Sequence, residues 1–254
     1  MNSLAISLIA FGCIFGGMLL GMFLRTRLPT HYLSDDSKDV LKLGIGMMAT
    51  LAALVIGLLL ASAKGSFDTI RSGLTSTCSK IILLDRVMAA YGPETKEARD
   101  VLRRVVTSTI QQFWPNERTG QIETEVLDRG AVLETVYNKL LELSPQNDAQ
   151  RQLQSRAFQV SGDIAEGRWL IAQQREQSSL PMPFLVMLVT WLVIIFFSFG
   201  LLSPRNAAVV IILLVCALSA TGAFYMIQEL DRPFGGLIHI SSAPLRLALA
   251  NLGR

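Results

Sequence analysis

Charge is scarce in this sequence. Asp, Glu, Lys and Arg make up 17% of its 254 residues, against about 25% in an average soluble domain. That shortfall excludes an ordinary water-soluble enzyme. It also excludes a disordered chain, which would be polar and highly charged. The net charge is only +3, so a nucleic-acid binder that works by neutralising phosphates is excluded as well. Cysteine is rare. Cys13, Cys78 and Cys216 make no disulfide framework and read as small apolar fillers. The two histidines, His31 and His239, sit in different loops without a Cys or His partner at ligand spacing. No zinc, other metal or cofactor is therefore expected. Nucleophile-elbow, zincin, P-loop and paired-cysteine motifs are all missing, so the chain carries no catalytic constellation and is not expected to be an enzyme.

The missing charge is concentrated in three stretches. Residues 1–24 and 43–63 hold no Asp, Glu, Lys or Arg, and 181–228 holds only Arg205. A hydrocarbon core of roughly 30 Å needs about 20 apolar residues in a helix. Four spans fit, at 4–24, 43–63, 184–202 and 207–227, the last two joined by the turn Ser203-Pro204-Arg205-Asn206. The first has no basic leader and no small-residue cleavage site, and it ends on Arg25-Thr26-Arg27, so it reads as a mature helix with an interfacial anchor. Four spans place both termini and the block 64–180 on one side. Five Lys/Arg near the opposite loops against seven on that side leave the orientation open. Glycines at 12, 16, 17 and 21 allow close helix approach, either to another span of the same chain or to a second subunit.

The block 64–180 holds 15 basic and 15 acidic residues and is neutral. Its periodicity is helical. Leu74, Cys78, Ile81, Leu84, Met88 and Tyr91 line one face of a rod that continues the second span without a breaker and stops at Gly92-Pro93. A following helix reaches Phe113, with Ala98, Val101, Leu102, Val105 and Val106 inward. Trp114-Pro115-Asn116 interrupts it. A third runs over about 122–143 with Val126, Leu133, Val136, Tyr137, Leu140 and Leu141. A fourth starts at Ser144-Pro145 and runs to about Gln177, with a thin apolar face of Leu153, Ala157, Val160, Ile164 and Ile171. The expected fold is all-α. A hairpin of spans within 1–63, the helical extramembrane block 64–180, a second hairpin within 181–228 and a juxtamembrane tail at 229–254 make up the chain.

Two junctions stand out. After the second span come Ser66, Phe67 and Asp68, then Arg71. After the fourth come Glu229, Leu230, Asp231, Arg232, Pro233 and Phe234, followed by two glycines. Each is read in two ways, as interfacial anchoring with helix termination or as a charge cluster at a pore mouth. Asp85 and Arg86 are candidates for structural ion pairing within the bundle. The spans contain no ionisable group, which argues against a proton-coupled transporter. A pore gated by an apolar constriction remains compatible.

These segments resemble the bestrophin-like bacterial membrane proteins known as the DUF4239 family, over nearly the whole length. The resemblance rests on Leu28-Pro29 with Ser37-Lys38-Asp39 in the first loop, Ala53 to Asp68, Leu84-Asp85-Arg86, Tyr91-Gly92-Pro93-Glu94, Glu229 to Phe234, and Ser241-Ser242-Ala243-Pro244-Leu245. A looser similarity reaches bestrophins, pentameric ion channels with four spans. It implies a homo-oligomer, a pentamer by analogy, in the cell membrane. It also implies a cytoplasmic block and small inorganic ions as the species handled. Where those channels carry an acidic calcium-binding run after Pro-Phe-Gly, this chain has Gly236-Leu237-Ile238-His239, so calcium gating is not implied.

The leading expectation is thus an oligomeric pore with an apolar neck of Leu51, Leu54, Val55 and Leu58 on span two. Asp68 and Asp231 would shape the field at its mouth. The competing expectation is a non-conducting membrane scaffold that docks a partner on the neutral, helix-rich block and the thin apolar face of 148–177.

Overall fold

The computed structural model describes residues 3–27, 35–114, 131–177, 182–204 and 206–253, with backbone alone at 35–38, 131–133, 175–177 and 182. These residues form helices and no strands. In chain order they are α1 (Ser3–Arg25), α2 (Asp35–Tyr91), a 3-10 turn (Pro93–Thr95), α3 (Lys96–Phe113), α4 (Ala131–Leu141), α5 (Asp148–Gln177), α6 (Met182–Leu202), α7 (Ala207–Leu230) and α8 (Ala243–Asn251). Four of them, α1, α2, α6 and α7, are long and apolar enough to cross a membrane. The expected all-helical, four-span fold is therefore what the chain adopts. It divides into two compact units: Met1–Phe67 with Ser178–Ile238, and Asp68–Gln177 with His239–Arg254.

The first unit packs its spans on a core of Ile14, Met18 and Met22 from α1, Ala52 from α2, Leu188, Leu192 and Phe196 from α6, and Ala217 and Phe224 from α7. Lipid offers no hydrophobic drive between helices, so small residues and close backbone approach must hold them. Gly21 and Gly200 provide it. A methyl on Gly21 would overlap the Phe197 carbonyl oxygen, and one on Gly200 the Met18 carbonyl oxygen. Gly17 rests on Val193. The expected glycine ridge is thus split. Gly17 and Gly21 pack within the chain, whereas Gly12 and Gly16 meet nothing within 4 Å. Arg25 donates from Nη1 to the Leu202 carbonyl at 3.0 Å, which places a cation at the negative end of α6. Arg27 lies 5.5 Å from the centre of the Phe23 ring. The turn 203–206 ends at Asn206, whose side chain accepts from Ala208 N at 3.2 Å and caps α7. Arg205 lies outside the described residues.

Helix α2 departs from expectation at its start. Residues 35–42, expected as loop, are its first two turns. Nothing in Asp35-Asp36-Ser37-Lys38-Asp39 forbids a helix, and acidic residues suit the positive N-terminal end. Lys42 and Asp39 form an ion pair at 2.9 Å one turn further in. The helix then runs 57 residues to Tyr91, about 85 Å at the α-helical rise. Gly92, at φ 141°, ends it where a side chain would strain the backbone. The buried Thr95 hydroxyl lies 2.6 Å from the Met88 carbonyl and 2.8 Å from that of Gly92, serving the helix end.

In the second unit all six residues of the expected α2 face, from Leu74 to Tyr91, are buried. Helix α3 packs on α4 and α8, and α4 on α5, where Ala157, Val160 and Ile164 are buried. Leu153 and Ile171, at the two ends of the same α5 face, are half-buried, so the face expected to be thin is largely covered within the unit. The signal was missed because small residues make up the difference: Gly167 receives Thr77, Gly73 receives Ile171, and Ser161 is buried. Helix α5 starts at Asp148, later than expected, because Asn147 caps it through Gln150 N at 2.8 Å. On α4, Val136 and Leu140 are buried while Tyr137 and Leu141 are exposed, and the Tyr137 ring stands against Phe158 with centroids 5.1 Å apart. The expected helix residues 122–130, Val126 among them, lie outside the described residues, as do Leu28-Pro29, His31 and Pro115-Asn116. The tail contains a helix the periodicity did not reveal. Pro244 in the first turn of α8 favours it, and Leu245, Ala248 and Leu252 are buried.

Candidate functional site

The most exposed apolar surface of the first unit runs along α2. Of the most apolar window of each span, 11% is buried within the protein for α2, against 28% for α1, 33% for α6 and 17% for α7. On α2 the residues Leu43, Met47, Leu51, Leu54 and Leu58 recur at steps of three and four, so they share one helix face. All five are exposed, Leu54 at 66% and Leu58 at 71%. Of the four neck candidates, Leu51, Leu54 and Leu58 thus lie together on the open stripe. Val55 is turned toward the core and packs partly against it.

At the first junction Phe67 is buried and Ser66 half-buried, and the Lys64 ammonium lies 5.7 Å from the centre of the Phe67 ring. That contact anchors the last membrane-proximal turn of the first unit. Asp68 and Arg71 are exposed and begin the second unit.

The second junction is more closely built. Glu229 is 3% exposed. Its Oε2 accepts the Leu237 backbone N–H at 2.7 Å, and it is hydrogen-bonded to the Tyr225 side chain one turn back on α7. Arg232 N donates to the Glu229 carbonyl at 3.1 Å, and Gly235 N to the Arg232 carbonyl at 3.1 Å. Gly236 has φ 95° and sits so close that a methyl there would overlap the Glu229 carboxylate. Only glycine meets both conditions. The sequence Pro233-Phe234-Gly235-Gly236 is therefore a turn wound around a buried carboxylate, with Pro233 buried beneath it. Asp231 and Phe234 are half-buried, and Arg232 is exposed.

Asp85 is 1% exposed in the second unit. Arg99 meets it fork to fork, Nε to Oδ1 at 2.8 Å and Nη2 to Oδ2 at 3.0 Å. Gly253 N also approaches Oδ2, at 3.3 Å. Donating to Asp85 holds the Arg99 guanidinium above its ordinary pKa, against its own desolvation. Arg86, next in sequence, is on the exposed side of α2. Sequence reasoning missed Arg99 and Tyr225, and placed Gly236 in the junction without its role against Glu229. The i−4 spacing of Tyr225 and the paired glycines were legible signals. Arg99 was not, because its place depends on α3 folding back at Gly92. Among the described residues no group of three His, Cys, Asp or Glu is placed to hold a metal ion.

Comparison with known proteins fits this layout. The model of the bestrophin-like domain matches residues 12–245. Among solved structures, a bacterial bestrophin homologue from Klebsiella pneumoniae superposes with a TM-score of 0.65 at 14% identity, covering 94% of this chain and 97% of that one. Another variant of it gives 0.65 at 13% identity over 97% and 98%. A structure described as a membrane protein gives 0.65 at 11% identity over 97% of each chain. No curated protein matches in sequence. The structural likeness carries the fold, and the domain match spans most of the sequence. The chain is a membrane protein and belongs to the bestrophin-like family.

Proposed function

We propose that this protein is a homo-oligomeric pore for small inorganic ions, a bestrophin-like channel of the DUF4239 type, in which α2 from each copy faces a central axis. The observation that supports it is the uncovered α2 stripe. A span that buries so little against its own chain, less than any of the other three, leaves its surface for lipid or for other copies. Leu51, Leu54 and Leu58 form the apolar neck, and Val55 backs them from the core side. A ring of leucines of this kind gates by dewetting. Asp68 and Asp231 act on the field at the mouth. Glu229 builds the turn that carries Asp231 and Arg232. Phe67 fixes the exit of α2, with Ser66, Arg71, Pro233 and Phe234 as its surroundings. The protein sits in the cell membrane with the block 64–180 on the cytoplasmic side, and it conducts rather than catalyses. The docking reading has less support on α5, where Ala157, Val160 and Ile164 are buried within the second unit.

Light scattering of the detergent-solubilised protein should give a ring of several copies, five by analogy with bestrophins. Planar-bilayer recording of the same material should give ionic currents. A monomer, or an intact oligomer silent across salts and pH, would overturn the proposal.

A further inference from the structure

Within the second unit, α5 lies along α2, and two close contacts fix how. Gly73 of α2 lies against Ile171, and Gly167 of α5 against Thr77. The two helices therefore run antiparallel, with residues 73–77 level with 167–171. At 3.6 residues per turn, positions two apart stand about 160° round a helix from each other. Trp169 is two places from both α5 contact residues, so it faces away from α2. Arg71 is two places from Gly73, so it faces away from α5. The helix pair thus carries an aromatic on one flank and a cation on the other, at levels about 6 Å apart by the α-helical rise.

Both flanks are open within the chain. Trp169 is 77% exposed and Leu170 beside it 58%, and Arg71 is exposed. A tryptophan is seldom left so bare, and Trp and Arg are the residues enriched where proteins meet. Along the same face of α5, Gln159, Glu166 and Gln173 are exposed as well. The apolar pair is therefore bounded by polar residues toward both ends of the helix. A lipid-facing surface would continue apolar, whereas a small apolar patch inside a polar rim is the anatomy of a protein contact.

We propose that Trp169 of one copy stacks on Arg71 of the neighbouring copy, a cation–π contact that joins second units around the ring. This rests on the oligomer reading above, in which α2 of each copy faces a central axis. Rotation about an axis that runs along α2 keeps every residue at its own level. Contacts in such a ring are head to tail, so one flank of a copy meets the opposite flank of the next. Trp169 and Arg71 stand on opposite flanks at nearly one level, so the rotation brings them together. The negative face of the indole suits the guanidinium, and Leu170 widens the apolar part of the contact.

The test is crosslinking between copies. Full-length chains with the exposed Cys13 and Cys216 replaced by alanine are co-expressed under two tags, one carrying Trp169→Cys and the other Arg71→Cys. Cys78 is buried and stays. A short bismaleimide added to the detergent-solubilised protein should give a band at twice the chain mass that carries both tags. Glu134→Cys, on α4, in place of Trp169→Cys should give severalfold less. In dissociation by dilution, Trp169→Ala and Arg71→Ala should each weaken the ring about tenfold. The double variant should be little weaker than the weaker single one, because the two side chains share one contact. An intact ring without the doubly tagged band, or fully additive alanine effects, would overturn this contact and leave the channel reading standing. A monomer by light scattering would overturn both.

Discussion

Asp85 and Glu229 are both buried carboxylates, and they solve burial differently. Asp85 is matched by a full counter-charge in fork geometry, the strong form of the ion pair. Glu229 has instead a backbone N–H and a tyrosine, so its charge is spread into a turn. Removing one partner of a buried pair is costly because it strands the other. Asp85→Asn should therefore destabilise the protein by about 3 kcal/mol, read as a lowered midpoint of thermal unfolding in detergent. Arg99→Lys keeps the charge but loses the parallel pair of bonds, and should cost about half as much. Equal and negligible shifts for both would mean that the pair contributes nothing. The sequence marked Asp85 as a candidate for an ion pair within the bundle. It could not mark Arg99, which is fourteen residues away and faces Asp85 only once Gly92 has reversed the chain.

At the scale of elements, the spans were the most legible part. A run of twenty uncharged residues has few ways to satisfy its backbone in lipid other than as a helix. Boundaries were less legible wherever polar residues happen to be helical, as at Asp35–Lys42. Small residues misled most. Gly73, Ser161 and Gly167 look like weak points in a hydrophobic pattern, yet they are where helices of the second unit meet. The glycine ridge of α1 shows the same logic inside the membrane. Gly21→Val should push α6 away at Phe197 and cost about 2 kcal/mol or more. Gly12→Val, facing open space within the chain, should cost little of the fold. Thermal unfolding of the two variants side by side checks this. If the Gly12 variant folds but fails to assemble, that half of the ridge is a contact between copies.

For the whole molecule, the conduction proposal makes a graded prediction. Polar replacement in the neck should abolish dewetting, so Leu54→Ser and Leu58→Ser should raise resting conductance severalfold in planar bilayers. Val55→Ser, pointing into the core, should instead lower stability with little change in the currents of molecules that fold. Unchanged currents in the leucine variants of a protein that conducts would remove the neck from α2. The candidate stripe itself was visible in the sequence as leucines at helical spacing. Which of its members face outward was not, since neighbouring Leu54 and Val55 differ only in that Val55 packs partly against the core.

The continuity of α2 has a mechanical consequence. A single hydrogen-bonded rod from Asp35 to Tyr91 holds no joint at which torsion dissipates. Within the first unit, up to Phe67, its leucines keep fixed angular positions on that rod, so Leu51, Leu54 and Leu58 can change their facing only together.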